Sequence, residues 1–404
     1  MNQGRIIDQF VTRAIQSGGW MEMDRLYLKN RLMQMVGLED IVNEQSTENY
    51  TVDQLVNALL DIARNSAVIT HEKQEESLKG QLYDLLTPPP SVLNALFAQQ
   101  YNDDPTEALS YFHRLSIQNK MIKHAENTMA YETSQGMLWT SETTCEKYTS
   151  HYYPACDLCF DNEGYASGKF GAAFRYIRMN LQGKSFGFRF YQTPVWENHC
   201  LFVAEEHHTQ MHQRQTVDQL LQIVDVFPNY FVTCDSDLVK NADHVLYEGG
   251  SGTLPLFERY SKAQFTLNHY PQLDIDILDY PLTTCRIKGK NKEQLMQLVA
   301  STIQAWRLYQ AEGLCAFLEN GEMQHSVMLA ARKQNETYEV YLLFCEMTRS
   351  SLSLYEAFGV EIVDTHQRAI AEQLGHNLKE ADPFEGNHQR MDQWMQKINT
   401  LGAE

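Results

Sequence analysis

The feature that most constrains this chain is a change of hydrophobic period close to Tyr152. Before it, apolar residues recur at helical spacing: Ile6, Ile7, Phe10, Val11, Ala14 and Ile15, then Leu26, Leu32, Met33 and Val36. Thr51 is placed to cap a helix that opens at Val52, and Asp103-Asp104-Pro105 starts another that runs through Phe112 and Leu115. Pro88-Pro89-Pro90 marks a turn or linker between them. Residues 1 to about 145 are therefore expected to be mostly helical. After Tyr152, short aromatic and β-branched runs alternate with Gly and Pro. The strand-like runs are Phe186–Tyr191, Cys200–Val203, Pro281–Ile287, His325–Ala330 and Tyr338–Cys345. Helical patterns lie between and after them, at Thr216–Val226, Lys292–Tyr309 and from His388 onward. The spacing admits two similar α+β halves after residue 150.

Composition narrows the function. With 404 residues, 43% hydrophobic and 21% charged, the chain can bury a large core and is not a disordered polymer. Its 33 Lys and Arg against 52 Asp and Glu give a formal charge of −19, which repels a nucleic acid backbone. No basic run interleaved with aromatics offsets this, so nucleic acid is not the expected partner. A small phosphate ligand is still compatible, because one pocket can be positive inside an acidic surface. There is no signal peptide and no run long enough to span a bilayer, so the expectation is a cytoplasmic protein without membrane contact. Eight cysteines are too sparse for a disulfide scaffold.

Cys156-Asp-Leu-Cys159 is the main chemical motif. Two thiolates at this spacing can chelate one zinc from a tight turn, with two further ligands closing a tetrahedron. A redox pair and two buried thiols are the competing readings. The 14 histidines include Glu205-Glu206-His207-His208, after a strand, and Asp243-His244. Asn241–Gly250, followed by Ser251-Gly252, reads as a glycine-containing loop whose backbone a phosphate could approach. It matches neither a P-loop nor a dinucleotide fingerprint.

The segment Tyr153-Pro-Ala-Cys-Asp-Leu-Cys-Phe-Asp-Asn-Glu-Gly-Tyr165 resembles a stretch of the type 2 galactose-1-phosphate uridylyltransferases. The likeness continues in order through Leu181-x-Gly183, His199-Cys200, His208-Thr-Gln-Met211, Thr216–Leu221 and Phe227–Phe231. It also takes in Met23–Leu32, Pro105–Asn119, Tyr280-Pro-Leu282 and Arg332. The resemblance implies an α+β fold of two histidine-triad-like halves with mainly antiparallel sheets, preceded by a helical N-terminal region. The implied boundaries are 1–145, 146–270 and 271–404.

The resemblance also implies a reaction of UDP-hexose and galactose metabolism. A histidine attacks the α-phosphorus of UDP-glucose, hexose 1-phosphate leaves, and the uridylyl-histidine passes UMP to a second hexose 1-phosphate. A homodimer is implied as well. The family signature is His-x-His-x-Gln-Gly-Gly, with the second histidine as nucleophile. Anchored on Gly249-Gly250, it places the first histidine at His244, the nucleophile at Leu246 and the glutamine at Glu248. An alternative register puts His244 itself at the nucleophile. His244 under that register, and Glu248, are thus the catalytic candidates, with Arg175, Gly249 and Gly250 as substrate-binding candidates. The metal set carried over is Cys156, Cys159, His208 and His244, a structural Cys2His2 zinc site. A lost nucleophile beside a kept metal cage makes double displacement doubtful. It leaves a non-catalytic, zinc-stabilised UDP-sugar-binding or structural protein as the alternative.

Overall fold

The computed structural model describes residues 3–40, 49–122, 127–143, 156, 158, 160–165, 174–207, 214–235, 244–311, 313–318, 321, 323–346 and 352–401. Among these, the chain opens with helices α1 (Gln3–Gln16), α2 (Arg25–Val36), α3 (Val52–Asn65), α4 (Glu72–Leu85), α5 (Pro90–Asp103) and α6 (Pro105–Gln118). The hairpin β1 (Thr128–Thr133) and β2 (Gly136–Glu142) follows. Next come β3 (Ile177–Leu181), β4 (Lys184–Phe190), β5 (Cys200–His207), α7 (Arg214–Val226), β6 (Tyr230–Cys234) and β7 (His244–Ser251). The series continues with β8 (Ser261–Leu267), β9 (Tyr270–Leu278), β10 (Thr284–Gly289), α8 (Lys292–Arg307), β11 (His325–Gln334) and β12 (Thr337–Glu346). The described chain closes with α9 (Leu354–Ala357), β13 (Val360–Val363), α10 (Arg368–Ala381) and α11 (His388–Asn399).

The chain divides into two compact units, one of Met1–Lys123, Lys147–Arg178 and Gly187–Gln192, the other of His124–Glu146, Met179–Phe186 and Thr193–Glu404. In the first, local sequence sets the helix starts. Thr51 Oγ1 accepts from Gln54 N–H while the Gln54 side chain accepts from Thr51 N–H, so two otherwise orphaned donors are satisfied at the start of α3. Asp104 Oδ1 accepts from Thr106 N–H at 2.8 Å, and Pro105 behind it supplies a preset φ. Pro90 plays the same part in α5, so the proline run is a helix start and not only a break. The apolar stripe of α1 (Ile6, Ile7, Phe10, Val11, Ala14) is buried, as are Leu55, Leu59 and Leu60 of α3.

The strands described assemble into two sheets. A large sheet has the strand order β3-β4-β5-β7-β6-β11-β12-β10-β9-β8. Read from either end it is the same motif: a hairpin, a third strand, a helix, then a second hairpin whose last strand lies beside the third. β3-β4-β5-α7-β6-β7 and β8-β9-β10-α8-β11-β12 are thus two copies of one α+β module. They join where β6 runs antiparallel to β11, with Val232 opposite Ala331. A smaller sheet, β1-β2-β13, adds one parallel pair, β13 on β2. The fold is α+β and mainly antiparallel, behind an N-terminal helical region. The β1–β2 hairpin lies in a stretch expected to be helical. Leu138, Thr140 and Ser141 of β2 are buried, and Thr133 and Gly136 close the turn between the strands.

Alternation along β7 decides what the first module can do. Tyr247 OH donates to Gln219 of α7, so Val245 and Tyr247 face the helix. His244, Leu246 and Glu248 therefore share the opposite face. Through the paired registers, Phe231 and Thr233 of β6 and Ala330 and Arg332 of β11 lie on that face too.

Candidate functional site

β7 is the spine of the candidate site. It occupies the stretch read from sequence as a loop, and its two glycines explain how a strand forms there. A Cβ on Gly250 would stand 2.5 Å from Trp196 Cδ1 and 2.7 Å from the Glu197 carbonyl oxygen. One on Gly249 would meet the Phe231 carbonyl at 2.9 Å. The segment Val195–His199 lies so close over β7 that only glycine fits beneath it. Trp196 Nε1 donates to Gly249 O at 2.9 Å and fixes that approach. Gly249 and Gly250 thus have a packing reason of their own.

Glu248 sits at the centre of a polar cluster. His199 is buried, and its Nδ1 accepts from Val195 N–H at 3.2 Å, so Nε2 carries the proton. That Nε2–H donates to Glu248 Oε2 at 2.8 Å. Tyr355 OH donates to the same oxygen at 2.9 Å. The Trp196 ring packs against both donors, at 4.5 Å from His199 and 5.3 Å from Tyr355 between centroids. One carboxylate oxygen is thus held by two donors, while Oε1 has no protein partner among the described residues. The nearby Cys200 thiol is pushed well up by burial, and further by the charge of Glu248, so it is not a nucleophile.

Leu246 lies between His244 and Glu248 and pairs with Val203 of β5. His244 begins the strand and is buried. Its Nδ1–H donates to the Ala204 carbonyl at 2.9 Å, which fixes the tautomer of the ring. The His207 ring lies 3.8 Å from the His244 ring, centroid to centroid.

The first unit carries Cys156 and Arg175. Cys156 Sγ accepts from Leu158 N–H at 3.4 Å. The Cys156 carbonyl accepts from Asn162 Nδ2 at 2.7 Å, which holds the turn. Cys159 and His208 lie outside the described residues. Arg175 is buried and committed locally: Nη2 donates to Asp84 Oδ1 at 2.7 Å and Nε to the Pro88 carbonyl at 2.9 Å. Sequence reasoning did not single out Tyr355 or the role of His199. Their only signal was the His199-Cys200 landmark, and no local spacing links residues 199, 248 and 355.

Comparison with known proteins gives the context. The family model described as galactose-1-phosphate uridyl transferase, N-terminal domain, matches residues 19–145. The chain is 30% identical to a galactose-1-phosphate uridylyltransferase of Ligilactobacillus salivarius over 370 residues, 85% of this chain and 74% of the relative. It is 28% identical to the protein of that name from Enterococcus faecalis, over 83% of this chain and 73% of the relative. Among solved structures, the crystal structure of yeast Ap4A phosphorylase Apa2 aligns with a TM-score of 0.47 at 10% identity, over 69% of this chain and 97% of that one.

Proposed function

The chain belongs to the galactose-1-phosphate uridylyltransferase family, and we propose that it binds the UDP-hexoses and hexose 1-phosphates of that family without ever forming a uridylyl-histidine. One observation carries this: Leu246, at the nucleophile's place in the signature, lies on the same face of β7 as His244 and Glu248. A leucine has no lone pair with which to attack phosphorus. UDP-glucose labelled in its α-phosphate, incubated with the protein, is expected to leave no acid-labile UMP on the chain. Stoichiometric labelling would sink the reading and revive the register in which His244 is the nucleophile.

Two versions of this reading differ in what remains. In one, the protein is a non-catalytic UDP-sugar-binding or structural member of its family. Arg175 favours that version, because its guanidinium is already spent on Asp84 and Pro88. In the other, Glu248 takes a proton from water in a direct displacement at the α-phosphorus. The open Oε1, beside an oxygen fixed by His199 and Tyr355, favours this one. A cytoplasmic homodimer is the setting we propose for either.

The residues present fit a zinc ion. Cys156 has a backbone N–H turned to its sulfur, and His244 has its tautomer fixed by Ala204. We assign the zinc to Cys156, Cys159, His208 and His244. Bound there, zinc would link chain segments far apart in sequence and contribute folding energy, with no part in the reaction. Metal analysis of purified protein is expected to give one zinc per chain, and His244→Ala to lose most of it. Full retention in that variant would remove His244 from the set.

A further inference from the structure

A polar cleft of about 340 Å³ lies beside the outermost strands of the second module, β8 and β9. Its lining includes Gly136, Arg259, Lys262, Asp279, Tyr280 and Asp382. In the strand order β9 stands five places from β7, roughly 24 Å at ~4.8 Å per strand. The cleft is therefore remote from the His244–Glu248 face. Its volume is at the small end of the range for ligand pockets, about 300–1,000 Å³.

Arg259 is its fixed cation. Nη2 donates to the Met137 carbonyl at 2.7 Å, and the guanidinium lies 5.3 Å from the Tyr280 ring centroid. Gly136 packs directly against it: φ there is 87°, and an added Cβ would collide with Nη1. Gly136 and Tyr280, which seat the guanidinium, thus line the cleft themselves. Nε is buried with no partner, and no carboxylate pairs with Arg259 among the described residues. A planar fork of N–H donors in this state suits an incoming oxyanion.

The remaining charges sort into those already met and those left over. Lys379 meets Glu385 at 3.5 Å. Asp382 is buried and accepts from Thr283 N–H at 3.2 Å and from Thr283 Oγ1–H at 3.1 Å. Lys262 and Asp279 are exposed, and neither charge has a partner among the described residues. Two cations, Arg259 and Lys262, and one carboxylate, Asp279, are left facing a ligand. The complement of that set is a small molecule with two carboxylates and one ammonium group.

We propose that this cleft binds a dicarboxylic α-amino acid, its α-carboxylate on Arg259, its side-chain carboxylate on Lys262 and its ammonium on Asp279. The site does not rest on the function proposed above. Seating Arg259 in advance removes most of the entropy cost that a free surface arginine would carry.

Titration calorimetry on the full chain at fixed pH and ionic strength tests this with three probes. They are L-glutamate, glutarate, which lacks the ammonium, and L-glutamine, which lacks the side-chain carboxylate. Glutamate is expected to bind about tenfold or more tightly than either of the others. Arg259→Gln should weaken all three by about tenfold or more, and Arg259→Lys should recover part of the loss. Lys262→Gln should bring glutamate down to the affinity of glutamine and leave glutamine unchanged. Asp279→Asn should bring glutamate down to the affinity of glutarate and leave glutarate unchanged. Circular dichroism reports whether Arg259→Gln is folded; the two exposed positions carry the test even where it is not. No binding of glutamate by wild type would overturn the proposal. Glutarate or glutamine binding as tightly as glutamate would do the same, as would wild-type affinity in folded Arg259→Gln.

Discussion

Gly250→Val is expected to destabilise the sheet unit by about 3 kcal/mol or more, read as a fall in the urea midpoint at unchanged slope. The reason is contact and not backbone preference. Gly250 has an ordinary strand conformation, but its Cβ would lie 2.5 Å from the Trp196 ring and 2.7 Å from the Glu197 carbonyl oxygen. Neither neighbour can give way easily. Trp196 is buried and bonded to Gly249 O, and Ser251 N–H donates to Glu197 O at 2.9 Å. Gly183→Ala is the control for conformation alone. Gly183 has φ 79° and nothing within 4 Å of an added Cβ, so it should cost only about 1 kcal/mol. If glycine at 250 serves only the approach of a ligand, Gly250→Val will stay as stable as wild type and lose binding instead.

That glycine pair also shows why some of the structure was legible in the sequence and some was not. Strong local signals transferred well. The stripe Leu295, Leu298, Val299 and Ile303 marked α8, which ends at Arg307, two residues short of the expected Tyr309. Thr51 caps α3 as its position implied. β8 escaped notice because it is an exposed edge carrying Ser261, Lys262 and Gln264, with no buried alternation to reveal it. β7 read as a loop because Gly249-Gly250 is a breaker by propensity. What makes it a strand is the close passage of Trp196, more than fifty residues earlier, which no local pattern carries. The site divides in the same way. His244, Leu246 and Glu248 could be aligned from one stretch of chain. The donors that hold Glu248 come from the approach to β5 and the start of α9, so their meeting is a product of the fold.

Glu248→Gln separates a positioned base from a structural carboxylate. The amide oxygen can accept from His199 Nε2–H and Tyr355 OH as the carboxylate does, so the contacts within the protein are kept. The change in stability should then be under about 1 kcal/mol. Only the outward atom differs, a donor NH2 in place of the acceptor Oε1. If Glu248 is the base, water adds its oxygen to the α-phosphorus as the phosphorus–oxygen bond to hexose 1-phosphate breaks, and Oε1 takes the water proton. Released hexose 1-phosphate should fall about 100-fold or more in the glutamine variant, with the affinity for UDP-glucose little changed. Glu248→Ala is expected to lose the same activity and also about 1–3 kcal/mol of stability, because a buried imidazole N–H is left without an acceptor. Equal rates in wild type and Glu248→Gln would remove Glu248 from the chemistry. A wild type that binds UDP-glucose without cleaving it would leave the carboxylate as a fixed hydrogen-bond acceptor, set by His199 and Tyr355 for a ligand hydroxyl.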